Sequence, residues 1–103
     1  MTYTEKVRFE WDTHKDQANQ NKHGLSFDQA VELFTGDNDY LEIYDEGHSD
    51  EEDRFIAIGL IRAGVVVVVY TECREDVIRV VSARRATRKE VLLLQQYFGG
   101  ADG

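Results

Sequence analysis

The chain has 103 residues, 42% hydrophobic and 31% charged, the balance of a folded protein rather than a disordered segment. Cys73 is its single cysteine, which excludes an internal disulfide framework and a multi-cysteine metal site. Twelve basic against twenty acidic side chains leave a net charge of −8, which works against nonspecific adhesion to nucleic acid.

In chain order, Val7, Phe9 and Trp11 alternate with Arg8 and Glu10, the pattern of a half-buried strand. Asp12 then predicts the cap of a polar helix from about Thr13 to Lys22, which Gly24 stops, with Lys22 and His23 favourably placed at its negative end. Ser26 with Gln29 three residues on is a capping box, and Phe27, Ala30, Val31 and Phe34 fall on one face of the helix it opens. From Tyr40 the period changes to two. Leu41 and Ile43 mark one strand, and Arg54 to Leu60 another with Arg54, Ile56, Ile58 and Leu60 on one face. The run from Val65 to Thr71 is apolar on both faces and belongs at the centre of a sheet. Val77 to Ala83 is a further strand, and Thr87 with Glu90 opens a final helix to about Phe98. The order predicts an α+β fold in a single domain, with a core from about residue 7 to 98. Its sheet should be twisted and mainly antiparallel, with two N-terminal helices and one C-terminal helix gathered on one side.

The longest apolar run, Val65 to Val69, is far short of a membrane span. The first residues show no basic stretch followed by an apolar one, so no secretion signal is read and the expected location is cytoplasmic.

Charge is distributed unevenly. Asp37 to Asp53 is dense in acid, whereas Arg79, Arg84, Arg85, Arg88 and Lys89 follow one another with no acid until Glu90. Arg79 sits in an otherwise apolar strand, where a guanidinium requires a carboxylate or an anionic ligand. Strict alternation puts Arg79 with Val77 and Val81 but Ser82 and Arg84 with Ile78 and Val80. The two arginines therefore share a site only if a bulge or twist intervenes. Cations in the first turn of a helix oppose its dipole, a conflict a bound anion would remove. The structural alternative is pairing of these arginines with the acidic loop.

Two further groups bear chemistry. Lys22-His23 joins a phosphate-binding ammonium to an imidazole able to move protons near neutral pH. His48, Glu52 and Arg54 join candidate bases to a guanidinium, although a solvated acidic loop and a metal site at His48 are alternatives. Cys73 beside Arg74 is a weaker candidate nucleophile.

Taken together, Phe9-Glu-Trp-Asp12, Asn19, Lys22-His23-Gly24, Ser26-Phe27, Ala30 and Phe34 resemble the BrnT family of type II toxin–antitoxin systems. So do His48-Ser49, Glu52, Arg54, Ile58-Gly59, Tyr70-Thr71-Glu72 and the run from Ile78 to Thr87. The resemblance runs in order from Phe9 to Glu90. It implies a RelE-like fold and a ribonuclease that arrests growth, and the histidine, glutamate, lysine and arginine side chains present are enough for RNA cleavage without a metal or other cofactor. The implied partners are an RNA substrate and a BrnA-type antitoxin with a ribbon-helix-helix domain, which alone would contact operator DNA. A dimer within the antitoxin complex is allowed, and the apolar last helix offers a surface for the antitoxin or a second copy. By the same resemblance His23, Glu52, Arg79 and Arg84 are candidate catalytic residues. Lys22, His48, Arg54, Ser82 and Arg85 are candidate substrate contacts. The competing expectations are a noncatalytic interaction module, consistent with the acidic balance, and a metal-dependent hydrolase centred on His48.

Overall fold

A computed structural model describes residues 7–48, 52–74 and 76–99, with the side chains of His48 and Arg74 outside that description. The elements are β1 (Arg8–Glu10), α1 (Thr13–His23), α2 (Phe27–Thr35) and β2 (Tyr40–Tyr44), then a single 3-10 turn (Glu46–His48). There follow β3 (Arg54–Ile61), β4 (Gly64–Arg74), β5 (Val77–Arg85) and α3 (Arg88–Gly99). The strands form one sheet in the order β1-β5-β4-β3-β2. Strands β2 to β5 pair antiparallel as a meander, and β4 is central, as its two-sided apolar run requires. The sheet is nevertheless mixed, because β1 adds to the outer edge of β5 in parallel. Parallel neighbours need a long crossover, and the two helices and three strands between them supply it.

Local chemistry sets the helix ends. The Asp12 carboxylate accepts from the backbone N–H groups of His14 and Lys15 at 2.8 and 3.1 Å, and Gly24, at φ +72°, closes α1 by donating to Gln20 O. In the capping box of α2, Gln29 N donates to Ser26 Oγ and Ser26 N to Gln29 Oε1. Asp16 of α1 adds a bond from Phe27 N at 2.8 Å, which ties the two helices together.

One face of the sheet packs on α1 and α2. Leu25, Phe27, Ala30, Leu33 and Phe34 meet Ala57, Ile61, Val66, Val68, Tyr70, Ile78, Val80 and Ala83 in the main core. Gly59 permits the closest approach, since a Cβ there would run into the Leu33 side chain and Tyr40.

The other face is covered differently. Ile58 and Val67, paired across β3 and β4, are each only 2% exposed yet stand outside the main core. Helix α3, with Val91 and Leu94 half-buried, lies against β3 and β2. The expectation of all helices on one side therefore holds for α1 and α2 alone. The chain leaves β5 at Arg85, and the Arg84–Glu90 pair draws the last helix onto the second face.

Candidate active site

The second face owes its chemistry to one irregularity in β5. Tyr70 of β4 pairs with Val80, but the preceding residue, Val69, pairs with Ser82, so Val81 is an extra residue without a cross-strand partner. Such a bulge advances the alternation by one position. Ile78, Val80 and Ala83 face the main core, while Val77, Arg79, Ser82 and Arg84 share the opposite face. Strict alternation had separated the two arginines, and the bulge unites them.

Arg79 belongs to a row that crosses four strands. Arg54 on β3 pairs with Thr71 on β4, Thr71 with Arg79 on β5, and Arg79 with Glu10 on β1. With neighbouring strands about 4.8 Å apart, the backbones of Arg54 and Arg79 stand roughly 10 Å from one another across buried Thr71. Arg79 Nη1 donates to Glu10 Oε2 at 3.0 Å, with the two side chains 41% and 39% exposed. The carboxylate that a guanidinium in this strand requires is therefore supplied by the edge strand rather than by the acidic loop. Arg54 is half-buried and its Nε is fully enclosed.

Glu52 precedes β3 and is exposed, so its side chain is not held by strand alternation. Its carboxylate is nevertheless near enough to the Cys73 thiol to raise it. Thr71 Oγ1 lies 3.6 Å from Cys73 Sγ. Burial first, then the Glu52 and Glu10 carboxylates, push the Cys73 thiol above its ordinary value, and the Thr71 hydroxyl opposes them only in part. A thiol kept protonated is a poor nucleophile.

Arg84, two residues beyond Ser82, engages the first turn of α3. Its Nη1 and Nη2 donate to Glu90 Oε1 and Oε2 at 2.8 and 2.7 Å. The Arg84 hydrogen bonds hold the Glu90 carboxyl down at about 2, with a smaller contribution from Thr87 N–H. The dipole conflict expected at Arg88 and Lys89 is thus met by Glu90 within the same turn, and both cations are exposed to solvent.

The remaining candidates disperse. Arg85 points away from this face and donates to Ala63 O in the β3–β4 turn at 2.6 Å. Exposed Lys22 and half-buried His23 end α1, with His23 one helical turn beyond Asn19. The Asn19 amide bonds both backbone groups of Ala83, donating to its O at 2.7 Å and accepting from its N at 3.1 Å. That end of α1 therefore runs along the outer edge of β5, beside the stretch carrying Ser82 and Arg84. The side chain of His48 lies outside the described residues. Among the described residues, no three His, Cys, Asp or Glu side chains gather where a metal ion could be held, and no helix is long and apolar enough to cross a membrane.

Sequence reasoning passed over Glu10, Thr71 and Glu90 as partners of the arginines. Glu10 and Arg79 are 69 positions apart, and only the pairing of β1 with β5 joins them. Glu90 was visible, but only as half of a capping box.

Comparison with known proteins bears on the fold and the family. No curated protein sequence matches the chain. The crystal structure of the Brucella abortus ribonuclease toxin BrnT superposes with a TM-score of 0.64 at 26% identity, covering 80% of this chain and 99% of that one. The family model described as ribonuclease toxin, BrnT, of type II toxin–antitoxin system matches residues 11–90. That match spans the edge-strand exit, both N-terminal helices, the meander and the start of α3, and the chain belongs to the BrnT family of ribonuclease toxins, whose systems pair the toxin with an antitoxin.

Proposed function

We propose that the second face of the sheet, between the row of Arg79 and the first turn of α3, is where this toxin cleaves RNA by a route that its own side chains carry. The observation behind this reading is the Val81 bulge, which puts Arg79, Ser82 and Arg84 on the face that also carries Arg54, with Glu52 near the Cys73 thiol. RNA cleavage without a metal needs a base for the 2′-hydroxyl, cations for the charge on the phosphorane, and an acid for the leaving oxygen. Arg79 and Arg54 supply the cations from one row, on either side of Thr71. Glu52 near Cys73 and His23 at the β5 edge are the candidates for proton transfer, and Lys22 adds charge beside His23. Ser82 offers a hydroxyl to the phosphate. Arg84 keeps Nε for substrate while Glu90 fixes its other nitrogens. Arg85 and His48 belong to the outer substrate contacts expected from the family.

The reading extends to partners. A BrnA-type ribbon-helix-helix antitoxin neutralises the toxin in the cytoplasm, brings it to operator DNA, and supports a dimer of the complex. The exposed Leu92, Leu93, Tyr97 and Phe98 of α3 offer it apolar surface. Induced expression in a bacterial host tests the function as a whole. Growth arrest and RNA loss with the wild type but not with Arg79→Ala support it.

The net charge of −8 favours a second reading, a module that binds its partner without cleaving RNA. Absence of arrest from soluble wild type would shift the weight to it.

A further inference from the structure

We propose that Glu10 is the positioning residue for Arg79, holding the guanidinium by one nitrogen so that its other donors meet the substrate phosphate. This inference rests on the phosphate-binding role proposed above for Arg79.

The two arginine–carboxylate pairs on this face differ in form. Glu90 takes both terminal nitrogens of Arg84 in a fork, the arrangement that locks a guanidinium most completely. Glu10 takes Nη1 of Arg79 alone, which leaves Nη2 and Nε for a planar, two-point contact with phosphate oxygens. A long side chain that is 41% exposed otherwise explores many rotamers, and ordering it on substrate binding would cost affinity or rate.

Glu10 is itself held firmly. Its neighbours along β1 turn to the opposite side, where the Phe9 ring stacks on Phe34 at 5.7 Å and Trp11 meets Phe27 edge-on at 6.2 Å. Both aromatic rings pack against the main core. The three-residue strand is thereby pinned from below, and the register Glu10↔Arg79 fixes where the carboxylate emerges. A negative charge beside a phosphate site weakens anion binding by itself. Its presence is explained if orientation outweighs that cost.

The test compares wild type, Glu10→Gln, Glu10→Ala and Arg79→Ala, each with thermal melting to establish folding. Two readouts are used: steady-state cleavage of a short RNA, and the Arg79 Nε–H signal in NMR spectra of the 15N-labelled protein without RNA. Glu10→Ala is expected to lower kcat about tenfold with KM changed less than about threefold, and to broaden the Arg79 signal by exchange. Glu10→Gln keeps an acceptor for Nη1, so it should retain kcat within about threefold and a sharp signal. An Arg79 signal unchanged in Glu10→Ala overturns the proposal, as does unchanged kcat. Loss of cleavage in Glu10→Gln together with the acidic limb of the pH profile also overturns it, since Glu10 would then move the proton itself. Full cleavage by Arg79→Ala would instead remove the phosphate-binding reading, and the NMR signal would still decide whether Glu10 orders the guanidinium.

Discussion

Asn19 bonds both backbone groups of Ala83, two residues beyond the bulge in β5. Strand β1 stops at Glu10 opposite Arg79, so the amide of one helical side chain continues the edge pairing where the strand ends. A third bond, from Asn19 Nδ2 to Leu25 O at 2.9 Å, anchors the turn into α2. Asn19 is 7% exposed, and removal of the amide would leave buried backbone groups without partners. We predict that Asn19→Leu destabilises the fold by about 2–4 kcal/mol, measured by urea unfolding. A loss below about 1 kcal/mol would mean that water or a shifted β1 replaces the amide.

The Arg84–Glu90 fork makes α3 sensitive to acid. The folded-state pKa of Glu90, about 2, is below its ordinary 4.5. Its contribution is therefore present above the unfolded value and is lost as the pH falls from about 4.5 toward about 2. The Arg84 side chain is 39% exposed, so solvent screening reduces the full linkage to about 1–2 kcal/mol. Glu90→Gln should be less stable than wild type at pH 7, with the gap narrowing toward pH 2–3. A gap independent of pH would show that the fork contributes little through charge.

How far the sequence alone reached follows from the range of each interaction. Caps at Asp12, Ser26 and Thr87 are local, and each was readable from residues three or four apart. The period-two runs located the meander, and the two-sided valine run located its centre. The parallel addition of β1 was not readable, because three residues carry no signal for the partner they choose. Nor was the bulge: Val81 is as good a strand residue as Val80, and only its lack of a partner on β4 shows that it is extra. The site shared this limit. Arg79, Arg84, Glu52 and Arg54 were identifiable by type, but the face that the three arginines share depends on that one unpaired residue. Arg85 was grouped with them by sequence adjacency, and alternation sends it to the opposite side.

Cys73 serves as a chemical control on the face. Burial, then nearby carboxylates, raise its thiol above the ordinary 9.0, so it stays protonated at neutral pH. We predict that iodoacetamide labels native Cys73 at least about tenfold more slowly than the urea-unfolded chain at pH 7.5. Cys73→Ala should keep RNA cleavage within about threefold. Loss of cleavage with the fold intact would give the thiol a part in the reaction.

The distance between Arg54 and Arg79 across Thr71 gives a prediction on substrate contact. If both bind one phosphate through the transition state, Arg54→Ala should lower kcat/KM by about 10²-fold or more. Arg85→Ala, which loses only a bond to Ala63 O and an outer contact, should cost less than about fivefold. Equal losses for the two variants would argue for diffuse electrostatic binding in place of a defined site.

If the bulged face of β5 is catalytic, the purified protein cleaves RNA by itself and needs Arg79 to do so. Wild type and Arg79→Ala, matched in thermal melting, are incubated with the same RNA in the presence of excess chelator. Wild type should cleave the RNA, and Arg79→Ala should lose about 10²-fold or more of that rate. Cleavage by Arg79→Ala at the wild-type rate would contradict catalysis at this face, as would intact RNA with both proteins folded.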